Sequence, residues 1–420
     1  MALPRSLAPL RHRPFAALWT GAFCSNIGTW METVAVGILV TEATGQAVWA
    51  TLVAAAAFAP NALIGPIGGA LADRIPRRRL LLGSTAVQTL LAGALTALAA
   101  ADAAEPWAVT LIVLGSGCVG ALGFPSYQSM MPDLVPRDEL TSAAALGAAQ
   151  WNLGRVIGPA LAGIVIHTGG YEWAFAVNTV SFFAVIAAVA PLRLPAPRPP
   201  KEGESIPNAI KAGINYARRE PGIRAVMTYL ALNSLLAAPF IALVPAIAKK
   251  VFHEGKTGTS VLVTAQGVGA VLMALLLGTL AARFGNRQVV LGALTLLPGA
   301  LLLYALAPSL AFGAAAIFLV GFLYLGCLSS FTTIAQLRAP PEMRGRIMSA
   351  LMVLLGTLYP LGALIQGALA DEIGLRATTI GAAVILGVAL AFVRATRPGF
   401  DRDLGDVAPR ADTVPIAATE

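Results

Sequence analysis

Charge is scarce in this sequence. Only 12% of its 420 residues are Asp, Glu, Lys or Arg, about half of the roughly 25% usual in soluble domains. Hydrophobic residues make up 57%, and mean hydropathy is +0.75. So few polar side chains cannot cover a water-soluble fold, which excludes a cytosolic enzyme, a secreted disulfide scaffold and a disordered protein. Cysteine is scarce as well. Cys24, Cys118 and Cys327 lie in apolar runs without CxxC spacing, the pattern of packing residues rather than of metal ligands or a disulfide. His12, His167 and His253 do not cluster, so no metal centre is expected. No GxxxxGK[ST] loop is present, so ATP hydrolysis is not expected, and no cofactor is implied.

What the sequence does have is apolar length. Stretches of about 20 residues, enough for a helix to cross the hydrocarbon, recur along almost the whole chain. They cover 15–40, 47–71, 80–100, 107–130, 142–167, 172–192, 223–248, 259–281, 288–307, 310–334, 347–369 and 376–394, twelve spans in all. The 42 Gly and 28 Pro suit membrane helices. The first span is too long for a cleavable signal peptide and is followed by more spans. The net charge of +8 reads as topology rather than nucleic-acid binding. With the N-terminus in the cytoplasm, twenty-four of the 29 Lys and Arg fall on the cytoplasmic side. That bias predicts both termini in the cytoplasm, with the spans in contact with lipid.

The chain divides near its middle. Residues 193–222 open with Pro195, Pro197, Pro199 and Pro200 and continue as a charged stretch. Ile206, Ile210, Ile214 and Ala217 recur there at helical spacing beside Lys211, Arg218 and Arg219. This predicts a short amphipathic helix, either lying on the cytoplasmic membrane surface or simply joining two halves. The expected domains are a six-helix bundle over 1–192, a linker over 193–222, a second six-helix bundle over 223–398 and a disordered tail over 399–420, in a monomer.

The halves share a loop. Gly69-Ala70-Leu71-Ala72-Asp73-Arg74-Ile75-Pro76-Arg77-Arg78 follows the second span, and Gly278-Thr279-Leu280-Ala281-Ala282-Arg283-Phe284-Gly285-Asn286-Arg287 follows the eighth. Gly and the first Arg stand five apart in both, which suggests a duplication of the kind found in transporters that rock one half against the other. The first loop resembles the signature of the major facilitator superfamily, with Pro76 replacing the usual Gly. The second copy is degenerate, with Ala282 in place of the acid. Phe15-Ala16-Ala17-Leu18-Trp19, the segment from Asn152 to Gly163, and Arg344-Gly345-Arg346-Ile347-Met348-Ser349 are similar to the bacterial branch of the enterobactin exporter and related drug exporters. The resemblance implies an all-α fold of 12 transmembrane helices in two pseudo-symmetric bundles. It also implies a gating loop of Gly69, Asp73, Arg74, Arg77 and Arg78 that latches the halves in the outward-facing state, against the start of the eleventh span. A plain topological role as positive-inside anchors is the other reading of these arginines.

The fifth span, Gly154-Arg155-Val156-Ile157-Gly158-Pro159-Ala160-Leu161-Ala162-Gly163, resembles the superfamily's antiporter signature, with Ala162 for one Gly. Gly154 and Gly158 form a face that lets a second helix approach closely, and Pro159 opens the hydrogen-bond ladder. Gly163 continues the small-residue pattern.

Only Glu32 and Arg155 are ionisable clearly inside spans, and a charge there should face a cavity or a partner. Glu32 lies about 24 Å and Arg155 about 20 Å from the cytoplasmic start of their spans at 1.5 Å per residue. The matching depths suggest a contact, either for proton coupling or as a static ion pair. Ser25, Asn26, Thr29 and Thr33 extend a polar stripe beside Glu32. Tyr127, Gln128, Asn233, Gln266, Tyr324, Gln336 and Tyr359 are further candidates to line the cavity, although polar residues also bridge helices. Scattered hydrogen-bonding groups in apolar walls suit an amphipathic or aromatic solute rather than a sugar phosphate or dicarboxylate. The expected function is export of small hydrophobic or amphipathic compounds in exchange for protons. A siderophore or other metabolite exporter, or a lipid-like solute facilitator without proton coupling, fits the same motifs. A scaffold or an enzyme is disfavoured, since no nucleophile, base or metal set stands at membrane depth.

Overall fold

The computed structural model describes residues 5–192, 206–340 and 343–405, and within these the side chains of Arg5, Ser6, Asp73 and 206–212 lie outside the described part. The described residues are helical and linked by short turns. A 3-10 turn, Arg5–Arg11, precedes α1 Arg13–Thr44. Then follow α2 Ala47–Phe58, α3 Pro60–Leu63, α4 Gly65–Arg74, α5 Arg77–Ala100, α6 Pro106–Met130, α7 Leu140–Gly169 and α8 Tyr171–Val189. The later part of the chain holds α9 Ile206–Arg219, α10 Pro221–Leu232, α11 Phe240–Lys250, α12 Gly255–Phe284, α13 Asn286–Ala305, α14 Leu310–Arg338, α15 Arg344–Ile373, α16 Leu375–Thr396 and α17 Gly399–Asp403.

Helix is the form these segments must take. In hydrocarbon every backbone N–H and C=O needs an internal partner, and an α-helix supplies them all within one segment. Ten helices among the described residues are long and apolar enough to cross a membrane, or eleven if one bent pair counts as a single span. That pair is Ala47–Leu63 and Gly65–Ala72, which meet at 47°. The expected straight span over 47–71 is therefore broken. Pro60 and Pro66 stand in the first turns of α3 and α4, where their missing N–H groups remove bonds that would have carried the helix through. The 30-residue α7 is not among the ten. Gln150, Asn152 and Arg155 lower its hydropathy. A second irregularity lies between α10 and α11, where Asn233–Ala237 winds as a π-helix. Gln366 of α15 donates to the carbonyls of Leu235 and Leu236 there, at 3.2 and 3.0 Å.

The surface is apolar where lipid would touch it. Leu90, Leu275 and Phe392 are each about two-thirds or more exposed, which in water would be a liability and in a bilayer is the expected outer face. The protein is an all-α polytopic membrane protein. Its buried core falls into three clusters, one almost wholly of residues from the later half of the chain and two from the first half.

The start of α1 and the end of α16 lie at the same end of the molecule. His12 bonds Glu139 before α7, Arg338 at the end of α14 bonds Glu220 just before α10, and Tyr229 of α10 bonds Asp401 beyond α16. α9 forms within the expected amphipathic stretch and packs on α15, with Gly213 pressed against the carbonyl of Arg346. Residues 193–205, the Pro-rich part, lie outside the described residues, as does the tail from 406. The tail's first residues depart from the expected disorder. α17 docks through Phe400, which is buried edge-on against Tyr229, and Gly405 accepts from Arg338 Nη2 at 2.8 Å. An aromatic ring that finds a buried socket outweighs the polar composition around it.

Candidate functional site

Close helix contact builds the central cluster. α7 lies directly on α1 because Gly154 and Gly158 leave no side chain between them. A Cβ on Gly158 would stand 2.5 Å from Trp30 Cβ and 2.8 Å from the Ile27 carbonyl, and one on Gly154 3.0 Å from Asn26 Cβ. α12 then meets the other side of α7. A Cβ on Gly267 would stand 2.9 Å from the Arg155 carbonyl, and one on Gly163 2.7 Å from Ser260. The small residues of the fifth span therefore serve both the contact within the first half and the contact between halves.

This packing carries Arg155, 9% exposed, over the indole of Trp30 at 5.5 Å from the ring centroid. Tyr324 and Tyr359, from α14 and α15, stand close enough to interact electrostatically with the guanidinium. A ring of aromatics backs them. Trp151 meets Trp30 at 6.0 Å, Phe240 meets Tyr324 at 5.7 Å and Phe58 meets Tyr359 at 5.3 Å, each edge to face. Arg155 Nε has no hydrogen-bond partner, and among the described residues no carboxylate pairs with this guanidinium.

Glu32 is held elsewhere. Asn178 Nδ2 of α8 donates to Glu32 Oε2 at 2.6 Å, and Ser181 Oγ steadies that Asn by donating to its Oδ1 at 3.2 Å. The Glu32–Arg155 contact expected from equal depth does not form. Arg155 covers Trp30, and two residues along a helix turn a side chain by about 200°, so Glu32 faces α8 instead. Asn178 is a functional neighbour that the sequence reading missed. Its signal was a lone amide in the apolar run 172–192.

The other cavity candidates scatter. Tyr127 donates to Gln150 Oε1 at 3.0 Å, and Gln336 to Met348 Sδ at 3.6 Å. Gln128 and Thr29 are exposed. Asn233 is fully buried at the π segment with its amide unpartnered, and Gln266 Nε2 is also unpartnered. At the start of α5, Arg77 Nη1 donates to the Ser129 carbonyl at 2.9 Å and to Asp133 at 2.6 Å, while Arg78 donates to the Ala190 carbonyl. These bonds tie α5 to its own half. Gly69 borders open space, Arg74 is exposed, and the Asp73 side chain lies outside the described residues.

At the end away from the termini the halves are sealed by charges on helix ends. Asp371 of α15 accepts from the backbone N–H of Ala47 and Val48 at 2.7 and 2.9 Å, where α2 begins. Lys249 of α11 donates to the Thr41 and Glu42 carbonyls, both at 3.2 Å, where α1 ends. Lys250 bonds Asp371 at 3.2 Å. An anion sits at a helix N-terminus and a cation at a C-terminus, the favourable arrangement for both dipoles. In the sequence Lys249 and Lys250 entered only the count of basic residues, and Asp371 was not singled out.

Helices of two halves meeting at a buried central cluster are the arrangement of a solute transporter of the major facilitator class. The chain belongs to the transmembrane secretion effector family of that superfamily, whose model matches residues 5–414. It is similar to the multidrug efflux pump Tap of Mycolicibacterium fortuitum, 28% identical over 391 residues covering 90% of this chain and 94% of that one. It is also similar to the enterobactin exporter of Citrobacter koseri, 28% identical over 402 residues covering 91% and 90%. Among solved structures, an inward-facing, occupied bacterial homolog of the human lysosomal transporter Spinster aligns with a TM-score of 0.75 at 15% identity, over 94% of this chain and 98% of that one. These likenesses make the chain a secondary transporter of small organic solutes related to efflux proteins, not a catalyst.

Proposed function

We propose that the chain is a proton-coupled exporter of small hydrophobic or amphipathic organic compounds. It works by alternating access between two six-helix bundles, 1–192 and 223–398, with α7, the fifth in chain order, completing the twelve spans and both termini in the cytoplasm of a bacterial inner membrane. The charge bias of the loops supports that orientation. Asp73, at the end of α4, is the proposed latch of the cytoplasmic side.

The observation that carries the coupling is the partner of Glu32. Among the described residues it is the acid well inside a span, and it is bonded by a neutral amide rather than a cation. A carboxyl held this way exchanges a proton without breaking an ion pair, and the helix contact α1–α8 survives in either state. The likeness to an enterobactin exporter favours a second reading within the same mechanism, in which the cargo is one defined metabolite. The test is a proteoliposome assay with an imposed pH gradient and a panel of cationic, neutral and anionic amphipathic fluorophores. The expected result is accumulation by the wild type, and loss of pH-driven accumulation with retained solute exchange in Glu32→Gln. Full accumulation by Glu32→Gln would remove the coupling site and leave a facilitator or a different carboxylate.

A further inference from the structure

Among the described residues, the buried Arg155 stands without a counter-charge. Arg155 is nine-tenths buried between the halves, its Nε is unpartnered, and Glu32, which matches it in depth, is committed to Asn178. A guanidinium removed from water without a carboxylate is costly, and such groups in proteins are paired or meet a ligand. Trp30 at 5.5 Å offsets part of that cost through its ring face. A ring face gives no hydrogen-bond acceptor in the guanidinium plane, and a planar fork of donors fits a carboxylate bidentately. Around it stand Trp30, Trp151, Tyr324 and Tyr359, contributed by both halves, which offer flat apolar surface next to the single positive charge.

We propose that Arg155 is the recognition site for an acidic group on the transported solute, so that the preferred cargo is a monoanion on an aromatic body. The inference rests on the exporter function proposed above and names its substrate class. One cation suits one negative charge. The residues that touch the solute come from α1, α7, α14 and α15, so an anion bound there bridges the halves and is released when they part.

The probe pair is 2-naphthoate and its neutral amide, 2-naphthamide, which match in shape and differ in charge. Binding is read by tryptophan quenching on the full chain in nanodiscs. A bidentate ion pair formed only by the acid predicts a preference of about tenfold or more for 2-naphthoate in the wild type. Arg155→Gln should abolish the preference while 2-naphthamide still binds, and Arg155→Lys should keep part of it, since an ammonium retains the charge without the fork. Equal affinities for the two probes in the wild type, no saturable binding of either, or a preference that survives Arg155→Gln would each overturn the proposal. The wild-type comparison decides even if a variant fails to fold. Charge-selective binding without transport would sink the exporter reading and leave this site standing. Export of amphipathic fluorophores with no charge preference would do the reverse.

Discussion

Gly158 and Gly69 are alike on paper, since each lies in a segment resembling a superfamily signature, yet their surroundings differ completely. A Cβ at 158 would meet Trp30 and the Ile27 carbonyl within 2.8 Å, whereas at 69 nothing lies within 4 Å. Gly158→Val should therefore push α7 off α1, costing about 1–3 kcal/mol as overpacking does. It should lower the thermal midpoint of the purified protein followed by tryptophan fluorescence, while Gly69→Ala leaves it unchanged. An unchanged midpoint for Gly158→Val would mean that the two helices are not held at this distance. The same contact explains what the sequence could and could not reveal about the site. Glu32 and Arg155 stand out in any reading, because charges in apolar runs are rare, and depth follows from counting residues. Direction around the helix does not. It is set by which face of α1 receives Gly158, a fact of packing, and once Trp30 is known to lie under Arg155 the turn of Glu32 toward Asn178 follows.

At the scale of elements, periodicity and composition mark where helices run but not where they bend or dock. The bend at Pro60 and Pro66 had its prolines in view, and helical spacing announced α9. The π segment at Asn233–Ala237 carried no mark in its composition, since it depends on Gln366 of α15 reaching its carbonyls across 130 residues. α17 was hidden for the opposite reason. Its residues are polar and charged, and a single ring, Phe400, makes it part of the structure. Arg224 and Arg397 stand over that ring at 5.4 and 5.2 Å from its centroid, and Asp401 bonds Tyr229 at 2.7 Å and Arg394 at 3.3 Å. Phe400→Ala should release α17 while the long helices stay folded. Limited trypsin digestion should then cut at Arg397 and Arg402 several-fold faster than in the wild type, with no change in the thermal midpoint of the rest. Equal cleavage rates would show that the polar contacts alone hold the tail.

For the whole molecule, the proposed alternating access makes the two ends a pair of opposed latches. At the end away from the termini, Asp371 and Lys249, from the later half of the chain, sit on the helix ends at which the first half turns from α1 to α2. The turn itself is fixed by Gly45 at φ 67°, a left-handed conformation that favours glycine, so the two helix ends are presented together. At the opposite end, Asp73, an acid of the first half at the end of α4, is the proposed counterpart. If access alternates, each latch must open when the other closes, and removing one must favour the state that lacks it. Asp371→Asn takes a charge from a helix N-terminus worth about 1 kcal/mol, roughly a fivefold change in the ratio of the two states. Asp73→Asn should shift the ratio the other way. Thr51 reports on this directly, since it is fully buried where α2 meets Gly367 of α15. In a chain with Cys24, Cys118 and Cys327 replaced, Thr51→Cys should be alkylated by an impermeant reagent from the outer side of proteoliposomes. The rate should rise about fivefold with Asp371→Asn and fall with Asp73→Asn. Rates moving in the same direction for both variants would mean that the two ends are not coupled, and that the acids only tie down local helix termini.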